Sequence, residues 1–549
     1  MVYYIRRAVI ALTFISTVVF LLWLLPQLIK PVAPDADERQ RDEQWVNSSP
    51  YWVDRQACRW LGLCGIQHIK WDAPALPVDG GDNGGDLKME LMKLFAIGLS
   101  TGLRFGKEGV ASWETASVDG KDKFGTTTAK IMNEVPDYVL AHAPLVHLYS
   151  GENFWPSDIA EHVQHMRPFE DGELVNVTKP VDLLNLGRLN AEKDTIFLSS
   201  ADNVESRPEW LHNRVGKPVP FDDDDDEDDG EAGGDDDDQD GWRDRKRPSD
   251  GTTWWDADKE HPPNRIADPR RKTGRPRRPV EKRDGQRPIV GSFDTMNAKK
   301  EDAKKHNKSG YSDGPAVLVL VDKGAGIVDA FWFFFYSYNL GQTVLNIRFG
   351  NHVGDWEHCM VRFENGSPRA MFLSEHAGGQ AYAWQALEKR LPKGGGPARP
   401  VIYSAVGSHA MYASPGMHPY VLPFKMLKDI TDKGPLWDPA LNNYAFWYDY
   451  EVDRDEAARD PPPLERTSLV PAAKNPDLPT SWFHFEGYWG DDTYPLSDQR
   501  QWRLFGEYHY TTGPLGPKFK NLERKHVCQM EKCRLLYSIE DGKKATWYS

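Results

Sequence analysis

The sequence predicts a mainly β body, sandwich-like and with long loops, carried behind one N-terminal transmembrane helix and interrupted by a disordered charged insert. Three observations point there. Aromatics make up 12% of the 549 residues, 20 of them Trp, alongside 46 Gly and 40 Pro, a turn-rich composition. Short apolar runs bounded by turn residues recur through the second half, and Asn365-Gly366 sits between two of them. Both residues of that pair tolerate φ > 0, which makes it a strong hairpin signal. Finally, the 18 residues Ala8 to Leu25 (AVIALTFISTVVFLLWLL) carry no charge.

At 1.5 Å per residue, that uncharged run spans roughly 27 Å, close to the hydrocarbon core of a bilayer. Residues 1–30 therefore read as a retained anchor. The run exceeds the apolar stretch of a cleaved secretory signal, and prolines crowd Pro26 to Pro34, where a small-residue cleavage site would fall. Arg6 and Arg7 before the run, against Lys30 after it, favour a cytosolic N-terminus and a lumenal body. Residues 31–50 read as a polar stalk. Cys58 with Cys64, and Cys528 with Cys533, suit one or two disulfides in an oxidising lumen, with connectivity open and Cys359 left over. Asn47, Asn176, Asn307 and Asn365 begin glycosylation sequons. These features describe a single-pass glycoprotein of the secretory pathway or vacuole.

The first part of the body, 51–214, opens with YWVDRQACRWLGLCGIQHIKW. Met89 to Leu99 follows as a buried strand or short helix, and Thr195 to Ser199 as a strand. From 215 to 312 the chain turns acidic (DDDDDEDDGEAGGDDDDQD) and then basic (DPRRKTGRPRRPVEKR). Segregated charge with little apolar content cannot bury enough surface to offset ordering entropy, so this insert is expected to be disordered. A net charge of −15, with no basic groove interleaved with aromatics, argues against nucleic acid as a partner. The second part, 313–549, carries two apolar runs, Ala316 to Val321 and Ile327 to Tyr338, that read as a hairpin of buried strands. The Asn365-Gly366 hairpin and a strand within Arg399 to Ala413 follow, and WFHFEGYWG, Trp482 to Gly490, closes the β-rich region.

The chemically richest stretch is GNHVGDWEH, with His352, Asp355, Glu357 and His358 within seven residues. If extended throughout, it places Asp355 and Glu357 on one face and the two histidines on the other. A turn at Gly350–Gly354 would free His352 to swing round. Glu375, His376, Ser408, His409 and His418 are polar groups that could join it. Imidazole and carboxylate together suit a divalent metal, although no HExxH spacing or CxxC…CxxC pattern is present. A hydrolase using Ser408 lacks the GxSxG elbow, since VGSHA has glycine on only one side. The preferred reading is a buried polar network whose carboxylates accept backbone or histidine N–H bonds.

Five segments carry a family resemblance: the ENFWPSDI segment (Glu152 to Ile159), VGDWEH (Val353 to His358), SEHAGG (Ser374 to Gly379), RPVIYSAVGSHAMYASPGMH (Arg399 to His418) and FEGYWGDD (Phe485 to Asp492). Together they resemble the vacuolar protein sorting-associated protein 62 family of fungi, which has plant relatives carrying a domain of unknown function. The resemblance spans about 135–515 around the charged insert. It implies a role in delivering proteins to the vacuole and brings no catalytic residue with it. The expectation is thus a membrane-anchored, non-catalytic protein that binds a protein or glycan ligand. The alternative is a metal-dependent hydrolase centred on GNHVGDWEH.

Overall fold

The computed structural model describes residues 9, 12–20, 40, 43, 49–72, 134–192, 194–221, 308–344, 346–392, 395–419, 427–504, 506–531 and 534–544. The elements that position the site are helix α1 (Trp52–Leu61) and strands β1 (Leu145–His147), β2 (Ala316–Gly324), β3 (Ile327–Asn339), β4 (His352–Glu364), β5 (Ser367–Glu375), β6 (Gly378–Ala383), β7 (Arg399–Ser404), β8 (Lys428–Thr431), β9 (Leu436–Trp437), β10 (Asn443–Tyr448), β11 (Leu469–Pro471) and β12 (Leu535–Leu536).

Eight of them form one sheet in the order β11-β10-β2-β3-β4-β5-β6-β12. Its pairings are antiparallel except β10 with β2 and β6 with β12. The near-continuous apolar runs of β2 and β3 have a physical reason: both faces of this sheet are buried, so both parities are mostly apolar, and the charged exception in β3, buried Asp329, is paired with Arg362 at 2.7 Å. Val317, Val319, Phe331, Phe333 and Phe335 point into one core. Leu318, Leu320, Ala330, Trp332 and Phe334 point into the other. That second core is closed by a five-stranded sheet in which β7 pairs in parallel with β1, contributing Val146, Ile402 and Trp437. The first core is closed by Ile159, Val163, Leu186 and Leu198 and by a cluster of Trp356, Trp482 and Trp489. Trp356 lies 5.4 Å from Trp489 edge-to-face and 6.1 Å from Trp482. Burying side chains of this size contributes about 1.5–3 kcal/mol each. β1 comes from before the charged segment and β7 from after it, so the two parts share one sheet.

The predicted β2–β3 hairpin is present, with Val317 opposite Phe333. Asn365 (φ 49°) and Gly366 (φ 76°) turn β4 into β5 with both residues left-handed, as a two-residue hairpin on a twisted sheet requires. Other readings are corrected. Ser481–His484, at the start of the aromatic segment expected to close the β-rich region, is a 3-10 turn. The margins of the charged segment belong to the fold: Val219 N–H donates to Tyr311 O at 2.7 Å, Gly310 N–H to Val219 O at 2.8 Å and Ser312 Oγ to Gly216 O at 2.6 Å. The segment therefore leaves and re-enters the body at one place, while 222–307 lie outside the described residues, as do 73–133 with the expected element Met89 to Leu99. Of the expected anchor, residues 9 and 12–20 are described and helical. No helix of the described residues is long and apolar enough to cross a membrane.

Candidate functional site

The site is built around Gly354. Its φ is +69°, and a Cβ there would sit 2.3 Å from the carbonyl oxygen of Trp489, so only glycine fits. This left-handed residue breaks the alternation of β4. Beyond it, Trp356 and Met360 face the first core, while Cys359, Val361 and Phe363 face the second. Asp355 and Glu357 share the parity of Cys359 and are buried, at 5% and 4% exposed. His358 takes the opposite side, where its ring packs 5.2 Å from Phe333 and its Nε2 lies 3.2 Å from the Arg524 guanidinium. Before the break, Val353 falls with Trp356, and His352, whose Nδ1 lies 2.6 Å from Gly354 O, comes within electrostatic reach of Asp355 and His409. Of the four residues weighed as metal ligands, His358 is therefore separated from the rest. Among the described residues no group of three or more His, Cys, Asp or Glu side chains is arranged to hold a metal ion.

The quoted motifs converge on the carboxylate face. The turn after β7 puts His409 at φ +54°, fully buried. Its Nδ1 lies 2.9 Å from Asp355 Oδ2 and its Nε2 3.1 Å from Phe154 O, so both ring nitrogens face acceptor oxygens. The ring lies flat on Tyr336 at 3.6 Å. Glu152 closes this corner: Oε1 accepts from the Asn153 and Phe154 amides, and Oε2 from Gly407 N at 2.8 Å. Asp355 and Glu152 thus tie β4 to the loop that follows β1 and to the turn that follows β7.

A second hub is Asp429 on β8, fully buried. Its Oδ2 accepts from His376 Nε2 at 2.7 Å and Tyr412 at 2.8 Å, and its Oδ1 from Ser408 Oγ at 2.6 Å and Gln342 at 3.3 Å. Burial disfavours the charge on Asp429, yet His376 and the two hydroxyls hold its carboxyl below the ordinary range. His376 occupies the β5–β6 hairpin tip at φ +54°, where glycine is usual. Burial by itself favours the neutral ring, but Asp429 beside it prevails and pushes His376 up to about 9. Ser374 Oγ accepts the His358 amide at 2.8 Å and donates to Glu357. Burial and the neighbouring Asp355 charge push Glu357 up to about 8. Glu375, 3% exposed, is pushed well up by burial, and its Oε1 makes no hydrogen bond among the described residues.

This arrangement constrains the chemistry. A serine nucleophile needs a base on its hydroxyl. Ser408 instead donates to Asp429, and His376 holds the other oxygen of the same acid, so the acid lies between serine and histidine. His418 stacks on Tyr412 at 3.8 Å and contacts Thr431 Oγ1 at 2.9 Å.

Sequence reasoning missed Asp429, Tyr412 and the capping role of Glu152. Glu152 and Tyr412 lie inside the quoted segments Glu152 to Ile159 and Arg399 to His418, whereas Asp429 left no signal: only the fold turns Asp429 and Thr431 of Lys428–Thr431 inward. Among the other singled-out residues, Cys58 and Cys64 form a disulfide, and Cys528 is disulfide-bonded. Cys359 is buried and free, and Cys533 lies outside the described residues. Asn176 and Asn365 are exposed, while Asn47 and Asn307 lie outside the described residues.

The sequence profile described as "Vacuolar protein sorting-associated protein 62" matches residues 298–421. The chain is 32% identical over 424 residues to "Putative vacuolar protein sorting-associated protein TDA6" of Saccharomyces cerevisiae, covering 72% of this chain and 68% of that one. It is 32% identical over 430 residues to "Vacuolar protein sorting-associated protein 62" of the same organism, covering 73% and 69%. A solved structure titled "Toxin fold for microbial attack and plant defense" overlaps 17% of this chain and 52% of its own at 15% identity and a TM-score of 0.11, too little to bear on the fold. On the two long matches, the chain belongs to the vacuolar protein sorting-associated protein 62 family.

Proposed function

We propose that this chain is a non-catalytic binding protein that serves protein targeting to the vacuole, anchored in a membrane of the secretory pathway or vacuole through Ala8 to Leu25 with its body in the lumen. The names of its relatives support the pathway. One observation supports the non-catalytic reading: polar residues of the quoted motifs are bonded to other side chains in the interior, as in the His409–Asp355 pair at 2.9 Å and the Ser408–Asp429 pair at 2.6 Å. Groups held this way weld strands together and leave the body's surface to recognise a protein or glycan ligand. The test is complementation in Saccharomyces cerevisiae lacking both relatives, scoring release of a soluble vacuolar hydrolase into the medium. Restored retention supports the reading; a chain that is made, folded and correctly located yet leaves the hydrolase missorted overturns it.

A metal-dependent hydrolase remains the second reading, favoured by one feature. His376, paired with Asp429, keeps 27% of its side chain exposed, so a ligand can reach this part of the network. Elemental analysis of the purified protein and of Asp355→Ala decides it: a stoichiometric metal lost in the variant would establish that reading.

A further inference from the structure

Helix α1 has two unlike sides. On one, Asp54, Ala57 and Cys58 are buried at 2%, 9% and 7% exposed, spaced at i, i+3 and i+4. Asp54 Oδ1 accepts from Ile66 N at 3.3 Å, the Cys58–Cys64 disulfide closes the helix end, and Leu496 packs against both cysteines. α1 is therefore fixed to the body by a buried carboxylate, a covalent bond and an apolar contact. At its N-terminal end the N-cap residue Tyr51 and the first-turn residues Trp52 and Val53 stand 58%, 65% and 65% exposed, with Trp52 opposite Asp54. Among the described residues of the body, no other three consecutive positions are exposed large hydrophobics. Arg59, seven residues after Trp52 and so two turns along the same face, is exposed as well.

We propose that the N-terminal end of α1, with Tyr51, Trp52 and Val53, together with Arg59 on the Trp52 face, rests on the lipid headgroup region of the membrane that holds the chain. The proposal builds on the anchor reading above. Trp and Tyr combine an apolar ring with a polar tip and concentrate at membrane–water interfaces, while an arginine there meets headgroup phosphates. Left in water, a run of three such side chains is an exposed apolar patch of the kind that marks an interaction surface.

Tether length favours the bilayer over a soluble partner. The 26 residues from Pro26 to Tyr51 join the patch to the uncharged run. However they are arranged, they span at most about 90 Å. A body confined to a hemisphere of that radius has a local concentration on the order of 1 mM or more. Patch and bilayer therefore meet as an intramolecular pair, and an affinity too weak to recruit a free protein suffices to dock this one. Because α1 is fixed to the body, docking would orient the whole body and leave its opposite end facing the lumen.

The test uses the full chain reconstituted in phosphatidylcholine vesicles containing about a quarter phosphatidylserine. Flotation reads the anchor, and hydroxyl-radical footprinting with mass spectrometry reads the patch, with exposed Tyr537 (66%) and Met530 (54%) as internal references. The expected result is a chain that floats, with Trp52 oxidised several-fold less than the references. The double variant W52S/V53S is expected to float equally while Tyr51 becomes reactive. A floating chain with Trp52 oxidised like the references overturns the docking and leaves the anchor standing. A chain that does not float overturns both. Protection of Tyr51 that survives in the variant, or that grows with protein-to-lipid ratio, overturns the proposal in favour of contacts within the body or with a second copy.

Discussion

Replacing Asp429 by Ala removes one carboxylate from four donors at once: His376, Tyr412, Ser408 and Gln342. Breaking a buried charge pair by deleting one partner costs roughly 3–5 kcal/mol, because the surviving charge is left uncompensated. The pH dependence identifies which partner carries the cost. His376 is raised to about 9, so its contribution is complete below its unfolded value near 6.5 and is lost as pH rises through about 9. Asp429 is lowered, so its contribution is present above about 3.8 and is lost only in acid. A shift of this size on a mostly buried ring is worth about 2–3 kcal/mol. Urea unfolding followed by tryptophan fluorescence at about pH 6 is therefore expected to show a loss near 3–5 kcal/mol for Asp429→Ala. At about pH 10 the loss is expected to shrink by about 2–3 kcal/mol, since the wild-type ring is then neutral too. A loss below about 1 kcal/mol at the lower pH, or one equal at both pH values, would refute the reasoning that a charged His376–Asp429 pair welds the β5–β6 tip to β8.

Four more predictions follow from this site and from the rest of the body. Glu357→Gln should flatten the alkaline decline of stability: with a folded value near 8, the acid's contribution is complete below about 4.5 and lost as pH rises through about 8, and Gln cannot ionise; an unchanged alkaline limb in a pH series of melts would contradict it. The acid limb has the opposite sign, because burial holds His162 near 3 and His418 near 4; both contribute fully above about 6.5 and lose stability as pH falls, so His162→Gln should lessen acid sensitivity if tested in the same series. Gly354→Ala should destabilise by at least about 1–3 kcal/mol for the left-handed backbone, with the 2.3 Å approach to Trp489 O adding to it, and a melt within error of wild type would show that β4 can relax. Cys58→Ser should loosen α1 by about 2 kcal/mol, the entropy of a short closed loop; hydrogen exchange in residues 52–61 is the readout, and unchanged protection there would mean that Asp54 and Leu496 suffice.

What the sequence determined by itself is local. The apolar runs of β2 and β3 and the Asn365-Gly366 turn need only neighbouring residues to declare themselves, because β pairing across a two-residue turn is set by backbone preference and side-chain period. The convergence of polar motifs was legible as a list of residues, and Gly354 as a possible turn. Which of those residues meet was decided only in three dimensions. His358 and Glu357 are adjacent in the chain, yet the pleat sends them to opposite cores; His409 and Asp355 are 54 positions apart and 2.9 Å apart in space. Asp429 lies in a polar stretch that reads as surface, and only the packing of β8 against the β5–β6 tip and the turn after β7 turns it inward. A carboxylate acquires its charge state and its role from the donors that surround it, and those donors come from chain segments that no local pattern relates.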